Sequence, residues 1–506
     1  MVIELRKLLI AGLLVILIVG SLLGYFYMNK PIGSQESVEE VALAAKKADA
    51  IQSEELKASL SALERNDQNK IIWGDRFLRW TVLAYTIYRI DQGDRKIIPE
   101  MERLLTIFYN HAWYPYVVNK PEMPFPSLIQ YFHADGTWED YWNDYKPVYA
   151  SAFVLEFYLL ACYDRYWGVQ NFPMLKNVTD SITRMWLPAR HQPTAYVDAL
   201  KAGSVQVVEI KNITSSVDSS MVYSALVAAS ELAKTLGNDL ESARTYDYYA
   251  NDLSSSFTSE RWDWFPTNAF GKNINEDYGT ALQLGMTIPN LDGDDKIDLY
   301  AQMINSSLRV SSDSWLIKWK SSDTEPSSRS VFAAIGLAPK YPEVALKILI
   351  SYAHKAVQED PWFTSKTDGY EGEDPIWVSG KFLEAFVLFK QRALLGRTMF
   401  SPSVLRGGFK FQTSLAPGAL ELRVFNITFG NLYGEAAVLA EESSDNLNIV
   451  IRGFSGQNVS LTFLAKVSDI TVAPTDIPNS RLIDTLRQVV TVVFVPDSRP
   501  VTLTIG

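Results

Sequence analysis

Helix-period apolar patterns recur in pairs from Trp73 to Leu395, and this rhythm restricts the fold more than any other feature of the 506-residue chain. The pairs are Trp73 to Asp91 with Lys96 to Trp113, Val148 to Trp167 with Phe172 to Trp186, and Ser216 to Leu236 with Asp239 to Phe257. Asp277 to Met286 with Lys296 to Ser307 and Ser327 to Leu337 with Tyr341 to Val357 continue the series. A last helix is expected over Ile376 to Leu395, and Val41 to Asn66 supplies one more at the start. Helices in six such hairpins suit a mainly α (α/α)6 toroid.

The two ends of the chain read differently. Leu8 to Met28 carries no charge and is long enough to cross a bilayer as a helix, with Tyr25 and Tyr27 at its outer end. A cleaved signal peptide is the competing reading, but the run is long for one and no clear A-x-A site follows. Arg6 and Lys7 precede the helix, which favours a cytoplasmic amino terminus and a signal-anchor, so the main domain is expected outside the cell. Sequons at Asn177, Asn212, Asn305, Asn426 and Asn458 agree with glycosylation there. After Ser401 short β-branched segments alternate with Gly, Pro, Asn and Asp, the pattern of a small β-sandwich. The expected domains are therefore 1–32, a stub and membrane anchor; 33–400, the toroid; and 401–506, the β-sandwich.

Composition removes several functions. A formal net charge of -11 without a long Lys/Arg cluster argues against a nucleic-acid partner. With Cys162 as the single cysteine there is no intrachain disulfide, and the four histidines lack metal-site spacing. Asn290, Asp292, Asp294 and Asp298 resemble the start of a calcium loop, but Ala301 stands where a bidentate Glu belongs, so a solvated turn explains them as well. No cofactor is expected.

Two loops concentrate carboxylates among aromatic residues. Glu139 and Asp140 lie between Trp138 and Trp142, just ahead of an apolar helix. Glu359 opens a Gly-containing loop that also holds Glu371 and Glu373 and leads to Trp377. Paired carboxyls of this kind can hydrolyse a glycosidic bond, one protonating the leaving oxygen and the other activating water, when about 6.5–9.5 Å separates them. An acid ahead of a helix is also favoured by the helix dipole alone, and an acid such as Asp218 can simply cap its helix.

The Glu359 loop resembles the catalytic-base region of glucoamylase-type enzymes, glycoside hydrolase family 15, and TWEDY at Thr137 to Tyr141 resembles their general-acid region with Asp140 replacing a Glu. IWGDRFLRWTVLAYT at Ile72 to Thr86 is similar to a sugar-gripping helix, although Asp75 and Arg76 stand in the reverse of the expected order. Ser215 to Gly237 is similar to a helix of trehalase-like six-hairpin glycosidases, with Asp218 at an active-site position. The resemblance implies Glu139 as general acid and Glu359 as general base, with Asp140, Glu371 and Glu373 as alternatives. It also implies Asp75, Arg76 and Asp218 as carbohydrate contacts, and an inverting attack, for instance on an α-glucoside, while Trp73, Trp138 and Trp377 can stack on a sugar or, as is commoner for a single Trp, fill the core. Two other functions fit the same toroid. A polysaccharide lyase or uronyl epimerase would bring Arg76, Arg79 or His133 together with Tyr residues, whereas a carbohydrate-binding or structural envelope glycoprotein would lack the facing carboxylates.

Overall fold

The computed structural model describes residues 35–74, 76–92, 94, 96–114, 126–128, 131–137, 143–145, 147–188, 191–193, 195–198, 209–211, 216–258, 301, 314–318, 326–359, 375–395 and 400. Towards the carboxy terminus it describes 410–414, 427–430, 437–443, 446–452, 459–464, 470–484, 489–495, 497, 499 and 501–505. The chain is mainly helical. In order come α1 (Gln35–Arg65), a π-helical stretch (Arg76–Leu83) that runs into α2 (Ala84–Asp91), α3 (Ile97–Ala112), α4 (Pro147–Tyr163), α5 (Arg165–Gln170) and α6 (Phe172–Arg184). Then follow α7 (Ser216–Thr235), α8 (Leu240–Thr258), α9 (Val331–Leu337), α10 (Pro342–His354), a second π-helical stretch (Lys355–Glu359) and α11 (Pro375–Leu395).

These helices form two layers. In one, α7, α4, the first π-helical stretch with α2, α11 and α9 pack side by side in that order. The other holds α8, α6, α3, α1 and α10, each packed on the first layer. Burial separates them: α4 is buried at every position from Pro147 to Cys162 and α9 over its whole length, whereas α3 and α6 bury one face only. A helix apolar all round belongs in a core, one apolar on a single stripe covers it. Successive helices alternate between layers, and the last, α11, returns to pack on α1 and α2. The hairpin expected over Asp277–Ser307 lies outside the described residues except for Ala301.

Three boundaries differ from the sequence reading for local reasons. Trp73 is not helical but ends β1 (Ile71–Trp73), because its backbone pairs with a strand further on. The helix expected over Val148 to Trp167 breaks at Asp164, whose Oδ1 accepts from the Trp167 N–H at 2.9 Å and so caps the separate α5. Helix α1 begins at Gln35, earlier than the apolar pattern.

Alternation between layers places the connectors at opposite ends. At one end the links from α2 to α3, α7 to α8 and α9 to α10 are tight. The long connectors gather at the other end, where they carry short strands: β2 (Trp113–Tyr114) with β3 (Ser127–Leu128), β4 (Tyr131–His133) on β1, and β5 (Asn143–Tyr145). Here too lie β6 (Trp186–Leu187) with β7 (Gln192–Pro193), and β8 (Ala195–Asp198), which joins β5 to β9 (Glu209–Lys211). Loops on a rigid scaffold are where binding residues concentrate.

The carboxy-terminal strands are β10 (Lys410–Ser414), β11 (Ile427–Gly430), β12 (Ala437–Ser443), β13 (Asn446–Arg452), β14 (Val459–Leu464), β15 (Ile470–Ala473), β16 (Asn479–Asp484), β17 (Val489–Phe494) and β18 (Val501–Ile505). They form two sheets, ordered β10-β14-β17-β16 and β11-β12-β13-β18-β15, with only β10 and β14 parallel. Buried Val492 and Phe494, then Val501 and Leu503, show the alternation of a half-buried strand. No helix among the described residues is long and apolar enough to cross a membrane; Leu8 to Met28 lies outside them.

Candidate functional site

At the long-connector end, β1 and β4 pair antiparallel in a register that sets Trp73 opposite Tyr131. The two rings lie 5.2 Å apart, and Trp377, in the first turn of α11, meets Trp73 edge-on at 5.7 Å. Arg76 opens the π-helical stretch with its guanidinium 5.8 Å from the Trp73 ring. A pocket of about 310 Å³ lies here, walled by Glu55 and Ser59 of α1, Lys70 to Trp73, Arg76, Phe77 and Thr81, Tyr131, and Ile376. Lys70 and Glu55 form an ion pair at 3.5 Å on its rim. Two wall groups, the Trp73 indole N–H and the Thr81 hydroxyl, are buried with no hydrogen-bond partner among the described residues.

The wall is fixed from behind by α1. Gln52 Nε2 donates to the Ile376 carbonyl at 2.6 Å and to Ser379 Oγ at 2.7 Å, tying the start of α11 to the outer layer. Below the pocket, α11 presses on the π-helical stretch at Gly380. A Cβ there would sit 2.7 Å from both the Trp80 carbonyl oxygen and its Cβ, a space that only Gly allows. The contact encloses charged groups. Arg79 lies 3.9 Å from Glu384 with both side chains buried and stacks on Trp80 at 4.2 Å, while Lys381 Nζ donates to Ser328 Oγ at 2.8 Å. Burial raises the Glu384 carboxyl above its ordinary range, and Arg79 opposes that rise.

The structure brings together three of the residues singled out from the sequence, Trp73, Arg76 and Trp377. Asp218 occupies the first turn of α7 and Glu359 ends the second π-helical stretch, both at the long-connector end; their side chains are not described. Asp75, Trp138, Glu139, Asp140, Glu371 and Glu373 lie outside the described residues, as do Asn290, Asp292, Asp294 and Asp298. Their flanks are informative all the same. Glu373 is three positions before Ile376 of the pocket wall (376 - 373 = 3), and Glu139 is eight after Tyr131 (139 - 131 = 8). The turn between β4 and Glu139 is closed by Asp135, which accepts from the Thr137 N–H and hydroxyl, and needs Gly136 at a φ of +84°. Asn177 is exposed on α6 and donates to the Tyr109 hydroxyl; the other four sequon asparagines lie outside the described residues. Among the described residues no cluster of His, Cys, Asp and Glu is placed to hold a metal ion.

Sequence reasoning missed Glu55, Lys70, Thr81 and Tyr131, which reach the pocket from separate elements. It also missed the buried charges of α11. A signal existed for these, since Lys381, Glu384, Lys390 and Arg392 interrupt an otherwise apolar helix, and charges inside a core are retained only with partners.

No family model matches the chain, and no curated protein matches it. Among solved structures it is similar to the alpha-L-rhamnosidase from Dictyoglumus thermophilum, at 12% identity and a TM-score of 0.47 over 86% of this chain and 46% of that one. It is also similar to the Streptomyces avermitilis alpha-L-rhamnosidase complexed with L-rhamnose, at 12% identity and a TM-score of 0.39 over 86% of this chain and 38% of that one. The chain spans less than half the length of either.

Proposed function

We propose that this chain is a glycoside hydrolase-like protein that binds a carbohydrate at the long-connector end of a six-hairpin (α/α)6 toroid. One observation carries the reading. Trp73, Tyr131 and Trp377, from three separate elements, wall or adjoin one pocket beside Arg76, at the end where the loops bearing Glu139, Glu371 and Glu373 enter and leave. Aromatic faces suit the C–H faces of a sugar ring. In this proposal Glu139 is the general acid and Glu359 the general base of an inverting hydrolysis, with Asp140, Glu371 and Glu373 as alternatives, and an α-glucoside is the candidate bond. The remaining parts of the proposal are a membrane anchor at Leu8 to Met28, an extracellular glycosylated main domain and a β-sandwich built from the two carboxy-terminal sheets.

Release of reducing sugar from a panel of α-glucans, disaccharides and envelope glycans tests it, using Gly33–Gly506 beside Glu139→Gln and Glu359→Gln. Activity that falls by a factor of 10² or more in both variants supports the two-carboxylate mechanism. A chain that binds glycans but releases nothing is a binding module instead. A second reading, a lyase or epimerase, draws on the meeting of Tyr131 with Arg76 at one pocket, since such enzymes need a proton-abstracting group beside a cation. An unsaturated product absorbing in the ultraviolet would identify the lyase.

A further inference from the structure

We infer that Thr81 sets the specificity of the pocket beside Trp73, by pairing its hydroxyl with one hydroxyl of the bound sugar ring. The inference rests on the carbohydrate reading above and adds the group that selects the ligand. Thr81 lines the pocket and is fully buried, and its Oγ1 has no hydrogen-bond partner among the described residues. Other buried hydroxyls of these helices do have one. Ser151 Oγ donates to the Pro147 carbonyl at 2.8 Å, Thr179 Oγ1 to the Leu175 carbonyl at 2.9 Å and Thr86 Oγ1 to Glu156 Oε1 at 2.7 Å. The first two use the carbonyl four residues back, the usual outlet for a Ser or Thr inside a helix. Thr81 makes no such bond in its π-helical stretch, where backbone pairing runs to the fifth residue instead.

Packing alone does not call for a threonine here. Phe77 to Leu83 are all buried, and a valine at position 81 would have the same shape with no polar group to desolvate. A buried hydroxyl left unpaired lowers stability, so the ligand-free chain is less stable for carrying it. On a pocket wall, such a group marks where a partner arrives with the ligand. The Trp73 indole N–H, on the same wall, is also buried with no partner among the described residues. An indole only donates, whereas a hydroxyl both donates and accepts, so the hydroxyls of one ring can meet both groups. Trp73 and Tyr131, with rings 5.2 Å apart, add aromatic surface for its C–H face. At about 310 Å³ the pocket is at the small end for ligand sites, a size that suits one ring.

Calorimetry on the full chain would compare methyl α-D-glucoside with its monodeoxy analogues, for the parent, Thr81→Val and Thr81→Ser, beside urea unfolding of each without sugar. Thr81→Val should bind the glucoside at least about tenfold more weakly and yet unfold at a higher urea concentration than the parent. Thr81→Ser, which keeps the hydroxyl, should bind within about threefold of the parent. One deoxy analogue should lose about tenfold on the parent and nothing further on Thr81→Val, because both changes remove the same bond. A gain in stability joined to a loss of binding is a result that a merely structural threonine does not give. If Thr81→Val unfolds at lower urea than the parent, or does not fold, the hydroxyl is bonded within the chain and the inference is overturned. Unchanged affinity in Thr81→Val, or deoxy losses that add in full, would overturn it as well. Each of these results leaves the carbohydrate reading standing, whereas a parent chain that binds none of the glycosides would overturn both.

Discussion

Replacing Glu156 by Gln should make the helical unit more stable at neutral pH and remove a large part of its pH dependence. Glu156 lies in the middle of α4, fully buried, where Oε1 accepts from the Thr86 hydroxyl at 2.7 Å and Oε2 has no hydrogen-bond partner among the described residues. Burial, only partly offset by that one hydrogen bond, pushes the carboxyl up to about 8 from an ordinary 4.5. The folded chain thus keeps a proton that the unfolded chain gives up. Below pH 4.5 both states are protonated and nothing is lost. As the pH rises towards 8 the unfolded state is progressively favoured, and above 8 the penalty is constant. At about 1.4 kcal/mol per pH unit the loss is about 3 kcal/mol by pH 7 and about 5 kcal/mol when complete.

Gln has nearly the same shape, accepts from Thr86 in the same way and never ionises. Urea unfolding of both proteins from pH 5 to pH 9 therefore isolates Glu156. Other carboxyls raised by burial, such as Glu102, pushed up to about 7, and Glu384, titrate in the same direction but remain in both proteins and cancel in the difference. The difference should be small at pH 5 and favour the variant by about 3 kcal/mol at pH 7. A difference that stays flat from pH 5 to pH 8 would refute the reasoning, since it would mean that Glu156 is already ionised in the folded chain.

Gly380→Ala should cost about 1–3 kcal/mol in the same unfolding assay, because the new Cβ meets Trp80 backbone rather than a side chain that can swing away. Lys390→Met should cost about 3–5 kcal/mol by leaving Asp91, with which Lys390 forms a buried ion pair, uncompensated in the core. Adding Asp91→Asn should recover much of that loss, and a double variant no better than the single one would show that packing, not charge, holds the contact. Trp73→Ala should weaken binding of any glycan that the chain takes by about tenfold, corresponding to about 1.4 kcal/mol of lost stacking, as read by calorimetry.

The helical hairpins were legible because each depends on a local repeat. Apolar residues at helical spacing gave α3, α6, α7, α8 and α11 within a few residues of their observed ends. The site was legible only in part. Trp73 and Trp377 stood out as aromatic residues beside loops, but nothing in the sequence says that Lys70 pairs with Glu55 or that Tyr131 faces Trp73. Those contacts depend on the pairing of β1 with β4, two strands too short for periodicity to reveal. The break at Asp164 was hidden for a similar reason: an apolar pattern continued through it, and only the Trp167 N–H on its side chain shows that one helix ends and another begins.

The π-helical stretch from Arg76 to Leu83 explains why the pocket wall has the composition it does. In an α-helix, residues five apart are turned about 140° from each other, so Arg76 and Thr81 would face different neighbours. Hydrogen bonds from i to i+5 bring residues at that separation to one side, and both residues line the pocket. Between them the same stretch turns Arg79 and Trp80 to α11, where Glu384, Gly380 and, through Phe332, α9 receive them. One segment thus supplies a cation and a hydroxyl to the pocket and a buried ion pair to the core. The close approach at Gly380 couples these two tasks, so a substitution that drives α11 away from Trp80 should loosen both the Arg79–Glu384 pair and the wall that holds Arg76 over Trp73.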